Sequence, residues 1–258
     1  MTRFRRIKRL PLSRFVDFLW QAEGYVRPHR AEVVLPTGRV DLILSLDEHR
    51  EADVIAGARS QSIVIDTSRA LSFVGVRFRP GGAFPFLPLP VGELEGLGVD
   101  PTIAWGAGAR ILREQLLESR TAEHRFDILE RFLLERLNDS RARQPAVQYA
   151  IDIIERTEGA ASVAALVERT GLTARRFIAS FRNEVGLAPK VFCRLARFRR
   201  VIRSLREVQD ANWADIAVDC GYYDQSHFIH DFRSFAGLSP SAYLRQRTSS
   251  VNHLRVAE

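Results

Sequence analysis

GLTARRFIASFRNEVGLAPKVF, beginning at Gly171, and GYYDQSHFIHDFRSFAGLSPSAY, beginning at Gly221, are two copies of one pattern. With one residue of slack after the first glycine, the later matches keep a constant offset of 51 residues: Phe177 with Phe228, Ile178 with Ile229, Phe181 with Phe232, Arg182 with Arg233, Gly186 with Gly237, Leu187 with Leu238, Pro189 with Pro240, Phe192 with Tyr243. Upstream, VAALVERT and WADIAVDC both have the spacing of short amphipathic helices. Each copy therefore reads as helix, glycine turn, second helix, glycine stop. The turn glycine is needed because a tight turn between packed helices favours a positive φ. Gly186 and Gly237 have the position of C-caps, with a proline just beyond each. A repeat of this kind commits the last hundred-odd residues to two like helix pairs.

Between the copies lies PKVFCRLARFRRVIRSLRE. Val191, Leu195, Phe198, Ile202 and Leu205 alternate at four-three spacing, which predicts a helix with one narrow apolar stripe. Lys190, Arg194, Arg197, Arg199, Arg200, Arg203 and Arg206 occupy the rest, with no acidic residue among them. The whole chain of 258 residues has a net charge of +7. Residues 1–140 hold 20 basic against 19 acidic side chains and residues 141–258 hold 18 against 12, so nearly all the excess is C-terminal. Such an asymmetry suits a polyanion-binding domain at that end.

The first part of the chain has a different period. AEVVLPTGRVDLILSL reads as two β-runs joined by a Pro-Thr-Gly turn, and SIVIDT and LSFVGVRFRPGG follow. In the last, Val74, Val76 and Phe78 alternate with Gly75, Arg77 and Arg79. Then Ile111, Leu112 and Leu116, and later Phe126, Leu129, Leu133 and Leu137, predict two closing helices. NDSRARQP supplies a polar linker. The expected fold class is α+β: an N-terminal β-rich, barrel-like domain over residues 1–140 with trailing helices, then an all-α domain over residues 145–250 built from two helix-turn-helix units joined by a long helix.

No apolar run reaches the roughly 18 residues of a membrane span, and the basic start MTRFRRIKRL lacks the apolar core of an export signal, so a soluble cytoplasmic protein without membrane contact is expected. Cys193 and Cys220 form neither a disulfide framework nor a zinc site. His227 and His230 stand three apart without further ligands, so no metal and no cofactor is expected. No Ser/His/Asp arrangement, phosphate loop or HExxH motif is present, so an enzyme is not expected.

GLTARRFIASFRNEVGLAPKVF, and more specifically IAVDCGYYDQSHFIHDFRSFAGLSPSAYLRQR, resemble the two helix-turn-helix units of AraC/XylS transcription regulators, over about residues 145–247. The resemblance implies a regulator whose second helices enter successive major grooves, roughly 34 Å apart on one duplex face. It places Thr173, Ala174, Arg175, Arg176 and Ala179 on the first reading helix, with Thr173 as N-cap, and Gln225, Ser226 and His230 on the second. Arginine can hold guanine bidentately and glutamine adenine. Arg182, Arg197, Arg200, Arg203 and Arg233 are the expected phosphate contacts, the connecting helix lying along DNA. The family commonly has basic residues where Ala179, Ser180 and His230 stand and alanine where Val167 stands, and this chain departs from it there. Residues 1–140 resemble a domain found fused to such readers. Trp20, Tyr25, His29, Asp41, Arg77 and Arg79 are its candidate pocket residues. The segment Arg3 to Arg9 is either a mobile arm or a phosphate contact. Expected partners are double-stranded DNA, a small-molecule effector, RNA polymerase and a second copy through the N-terminal domain. The alternative is a DNA-modifying or repair enzyme carrying the same reader.

Overall fold

The computed structural model describes residues 2–25, 30–47, 53–68, 71–141, 143–206, 208, 210–248 and 252–255, the side chain of Tyr25 excepted. Its strands are β1 (Thr2–Arg5), β2 (Val16–Tyr25), β3 (Ala31–Val34), β4 (Asp41–Ser45), β5 (Val54–Ala56), β6 (Ile63–Asp66), β7 (Leu71–Phe78), β8 (Gly98–Val99) and β9 (His253–Arg255). Its helices are α1 (Pro101–Trp105), α2 (Ala107–Glu118), α3 (Ala122–Arg136), α4 (Pro145–Arg156), α5 (Val163–Thr170), α6 (Ala174–Val185), α7 (Pro189–Ser204), α8 (Trp213–Asp219), α9 (Gln225–Ala236) and α10 (Pro240–Gln246).

Alternation along β7 builds the first core. Val74, Val76 and Phe78 point to one side with Leu19 of β2 and Leu42 of β4, and all five are buried. Leu112 and Leu116 of α2 and Phe126, Leu129 and Leu133 of α3 belong to the same cluster. Ile111, expected to join them, is 53% exposed, and α1 adds a third helix before the two predicted. The strands form an open six-stranded sheet in the order β1-β2-β7-β4-β5-β8 and a three-stranded sheet in the order β6-β3-β9. The expected barrel is therefore not closed: β1 and β8 remain separate edges of the larger sheet.

Two further expectations are corrected. The runs flanking Pro-Thr-Gly do not pair with each other: β3 joins β6 and β9, whereas β4 joins β5 and β7. The turn is a corner between sheets, packed so closely on the helical domain that a Cβ at Gly38 would sit 2.6 Å from Leu195 Cδ2. The basic opening segment is not a loose arm, because β1 pairs with β2 and Arg5 bonds to Glu123, Asp127 and Glu130 of α3.

The helical part follows the repeat. Ser162, Thr173, Asn212, Asp224 and Ser239 cap their helices with side-chain oxygens. Gly186 and Gly237 end α6 and α9 in the left-handed conformation, at φ 93° and 73°. The stripe of α7 is wider than predicted. Besides Leu195, Phe198, Ile202 and Leu205, it buries Phe192, Cys193, Ala196 and Val201, because α4, α6 and α9 surround it. The elements described within residues 145–250 are all helices, as expected, and beyond them the chain returns to the N-terminal domain as β9, antiparallel to β3. There Leu254 is 1% exposed, and the His253 ring contacts the buried Glu32 carboxylate at 2.7 Å.

Candidate nucleic-acid interface

In each helical unit a phenylalanine ladder seats the reading helix. Phe177 and Phe181 of α6 are fully buried, with Phe181 edge-on to Phe192 of α7; Phe228 and Phe232 of α9 are fully buried, with Phe232 edge-on to Phe198 of α7 and to Tyr243 of α10. With those positions facing inward, helical geometry turns the intervening residues outward. Thr173, Ala174, Arg175, Arg176 and Ala179 are exposed at α6, and Gln225, Ser226 and His230 at α9. The N-caps orient both starts: Thr173 Oγ1 accepts from Arg176 N at 3.3 Å, and Asp224 Oδ1 from His227 N at 2.7 Å. Arg175, Arg176 and Arg233 form no ion pair among the described residues.

The arginines of α7 are differently placed. Arg194 binds Asp231 of α9, which is 2% exposed, through Nε and Nη2, the shortest contact being 2.7 Å. Arg197 donates to Gly221 O at 3.3 Å and lies over the Tyr222 ring. Arg199 pairs with Glu155, and Arg200 and Arg203 share Glu158. The run lacks acids in sequence but finds them on α4, the turn after it, and α9. Arg182, at the far end of α6, pairs with Glu95 of the N-terminal domain at 3.1 Å.

Several positioning groups gave no sequence signal. Glu184 of α6 is buried and accepts from the Gln144 N–H, the N-cap of α4, at 3.2 Å; burial pushes its carboxyl up to about 7, against the pull of that bond and of Arg143. Tyr223, 91% exposed, stands immediately before Asp224. Behind α9, Tyr222 is buried and Trp213 stacks on Phe228.

Of the candidate pocket residues, Trp20, Asp41 and Arg77 come to one face of the larger sheet. The Trp20 ring lies over Gly75, where a Cβ would meet it at 2.7 Å, and Arg77 grips its cross-strand partner Asp41 at 2.8 and 2.9 Å. Arg77 is thus already neutralised. Arg79 is apart and exposed, with Nε donating to Val16 O at 3.3 Å. His29 and the Tyr25 side chain lie outside the described residues. Both cysteines are buried, and burial pushes the Cys193 thiol up to about 11 and raises that of Cys220, so neither has thiolate character at neutral pH. Among the described residues no group of three His, Cys, Asp or Glu is placed to hold a metal, and no helix is long and apolar enough to cross a membrane.

Two exposed helix starts on phenylalanine-seated units, joined by one long helix, make up two helix-turn-helix units. Residues 166–246 match the model of a helix-turn-helix domain, and residues 9–100 that of a domain of unknown function (DUF6597). An HTH-type transcriptional regulator of Haemophilus influenzae is 26% identical over 117 residues, which is 45% of this chain and 38% of that protein; the chain thus covers well under two thirds of that relative's length. The C-terminal domain of AraT, a response regulator from Geobacillus stearothermophilus, is similar at 21% identity with a TM-score of 0.38, over 42% of this chain and 90% of that one. ToxT from Vibrio cholerae is similar at 12% identity with a TM-score of 0.38, over 95% of this chain and 97% of that one. The C-terminal part of this chain therefore contains a helix-turn-helix domain, over residues 166–246.

Proposed function

We propose that this protein is a sequence-specific transcription regulator that binds double-stranded DNA, with the starts of α6 and α9 in successive major grooves. One observation carries the reading: the repeat exposes the same face of both reading helices, and the arginines there, Arg175 and Arg176, have no ion-pair partner among the described residues. A guanidinium held on a helix start is free to bind guanine O6 and N7, and Gln225 to bind adenine N6 and N7. Arg233 is the phosphate contact this reading favours, since Arg200 and Arg203 must first exchange Glu158 for a phosphate, and Arg182 must leave Glu95. Elevated pKa values at both buried cysteines weigh against the alternative of a repair enzyme with a cysteine nucleophile.

Selection of operators from a random duplex library by the purified protein tests the proposal. The expected result is two conserved half-sites about one helical turn apart, with affinity falling steeply as salt rises. Equal affinity for all sequences, or none, would overturn it.

A further inference from the structure

The two C-caps of the reading helices, Gly186 and Gly237, are equivalent positions of the repeat, and one short segment of the N-terminal domain touches both. At α6, a Cβ on Gly186 would lie 3.0 Å from Ala58 Cβ and 3.1 Å from Val91 Cγ1, and Ala58, fully buried, belongs to the hydrophobic core of the helical domain. Four residues later, Ser62 N donates to Phe235 O at 3.0 Å and Ser62 Oγ to Ala236 O at 3.1 Å; a Cβ on Gly237 would lie 3.2 Å from the same hydroxyl. The last carbonyls of a helix have no partner within it, so Ser62 satisfies two groups that α9 itself leaves open. The segment is anchored from behind: Gly57 N donates to Leu97 O and Gly96 N to Ala58 O. Nothing in these contacts covers the reading faces, since Arg175, Arg176, Ala179, Gln225, Ser226 and His230 all remain exposed.

A chain of four residues spans at most about 14 Å. The stretch from Ala58 to Ser62 therefore limits how far apart the C-terminal ends of α6 and α9 can move, from a place outside the reader. We propose that Ala58–Ser62 is a brace that sets the separation of the two reading helices, and with it the half-site spacing that the protein accepts. The half-site claim rests on the two-groove reading above, whereas the separation of the helices does not.

The experiment therefore has two arms. In the first, spin labels on the full-length protein at Ala179→Cys and His230→Cys report the distance between the reading helices without DNA, the native cysteines being buried. Two brace variants are compared with the parent, one with two glycines inserted between Arg59 and Ser60, the other Ser62→Ala, which removes one C-cap bond and decides the matter if the insertion does not fold. A narrow distance distribution in the parent that broadens in the variants is expected; the same narrow distribution in every folded variant overturns the brace. In the second arm, operator selection is expected to keep the base preferences of each half-site while the preferred spacing widens by one base pair or more. Broadened distances with unchanged spacing overturn the half-site claim. If the parent selects no paired half-sites, the two-groove reading fails and the half-site claim with it, while the distance arm still decides the brace.

Discussion

Glu184 and Asp231 are both buried carboxylates, on α6 and α9, and their partners differ. Glu184 has a backbone N–H for company and a carboxyl raised from 4.5 to about 7 by burial, so the folded state holds its proton more tightly than the unfolded chain. The stability this group contributes is complete below about pH 4.5 and is lost as pH rises to about 7. Glu184→Gln keeps an acceptor for Gln144 N and removes the ionisation. Urea denaturation should find the variant close to the parent near pH 5 and more stable above pH 7, by on the order of 1–2 kcal/mol. A difference that does not change with pH would refute this account. Asp231 instead has the Arg194 guanidinium bound to it at 2.7 Å. Removing one partner of a fully buried pair costs about 3–5 kcal/mol, but the Arg194 side chain is 29% exposed and keeps some access to water. Asp231→Ala should therefore cost about 2–3 kcal/mol, read from the same denaturation curves; a loss below roughly 0.5 kcal/mol would mean that the pair does not anchor α9.

At the scale of the elements, α6 and α9 are alike in their phenylalanine seats and unlike in their reading faces. Arg175 and Arg176 lead the first, Gln225 and Ser226 the second, and Ala179 leaves the middle of the first face without a polar group. Specificity should accordingly be divided. Arg175→Ala is expected to relax the base preference at one position by about 1–3 kcal/mol, and Gln225→Ala to do the same about one helical turn away. The losses should add in the double variant, because the two positions share no contacts. Library selection with each variant measures this, and loss of preference at the same base pair in both would end the two-groove reading. The connecting helix α7 is less a comb of free charges than a hub. Four helical neighbours, α4, α6, α8 with its following turn, and α9, draw on its side chains, either through the core or through Arg194, Arg197, Arg199, Arg200 and Arg203.

At the scale of the whole molecule, the reader and the N-terminal domain are joined by more than the linker. Leu35 and Ala58 are counted in the reader's core, Gly38 packs on α7, and β9 crosses back to complete the smaller sheet. Leu254, the buried residue of β9, should therefore matter to both parts. Leu254→Ala is expected to cost about 2–4 kcal/mol, the usual range for emptying a buried leucine site. Calorimetry should show this as a lower melting temperature. An unchanged melting temperature would mean that the returning tail merely rests on the sheet.

What the sequence determined by itself is what local chemistry controls. The caps at Thr173 and Asp224, the glycine stops at Gly186 and Gly237, the buried phenylalanines and the exposed positions at the starts of α6 and α9 all follow from spacing and side-chain type within one repeat. These were legible because a helix turns at a fixed period and its ends need particular residues. The tertiary structure alone decided what depends on groups far apart in the chain. That Pro-Thr-Gly turns a corner between sheets, that the strands leave the larger sheet open, that Arg194 meets Asp231 and Arg182 meets Glu95, and that His253–Arg255 pairs with β3 are all contacts across long loops. A strand carries no mark of its partner, since any edge offers the same backbone donors and acceptors, and a surface arginine carries no mark of its carboxylate. Those choices are made by which faces the two cores bring together.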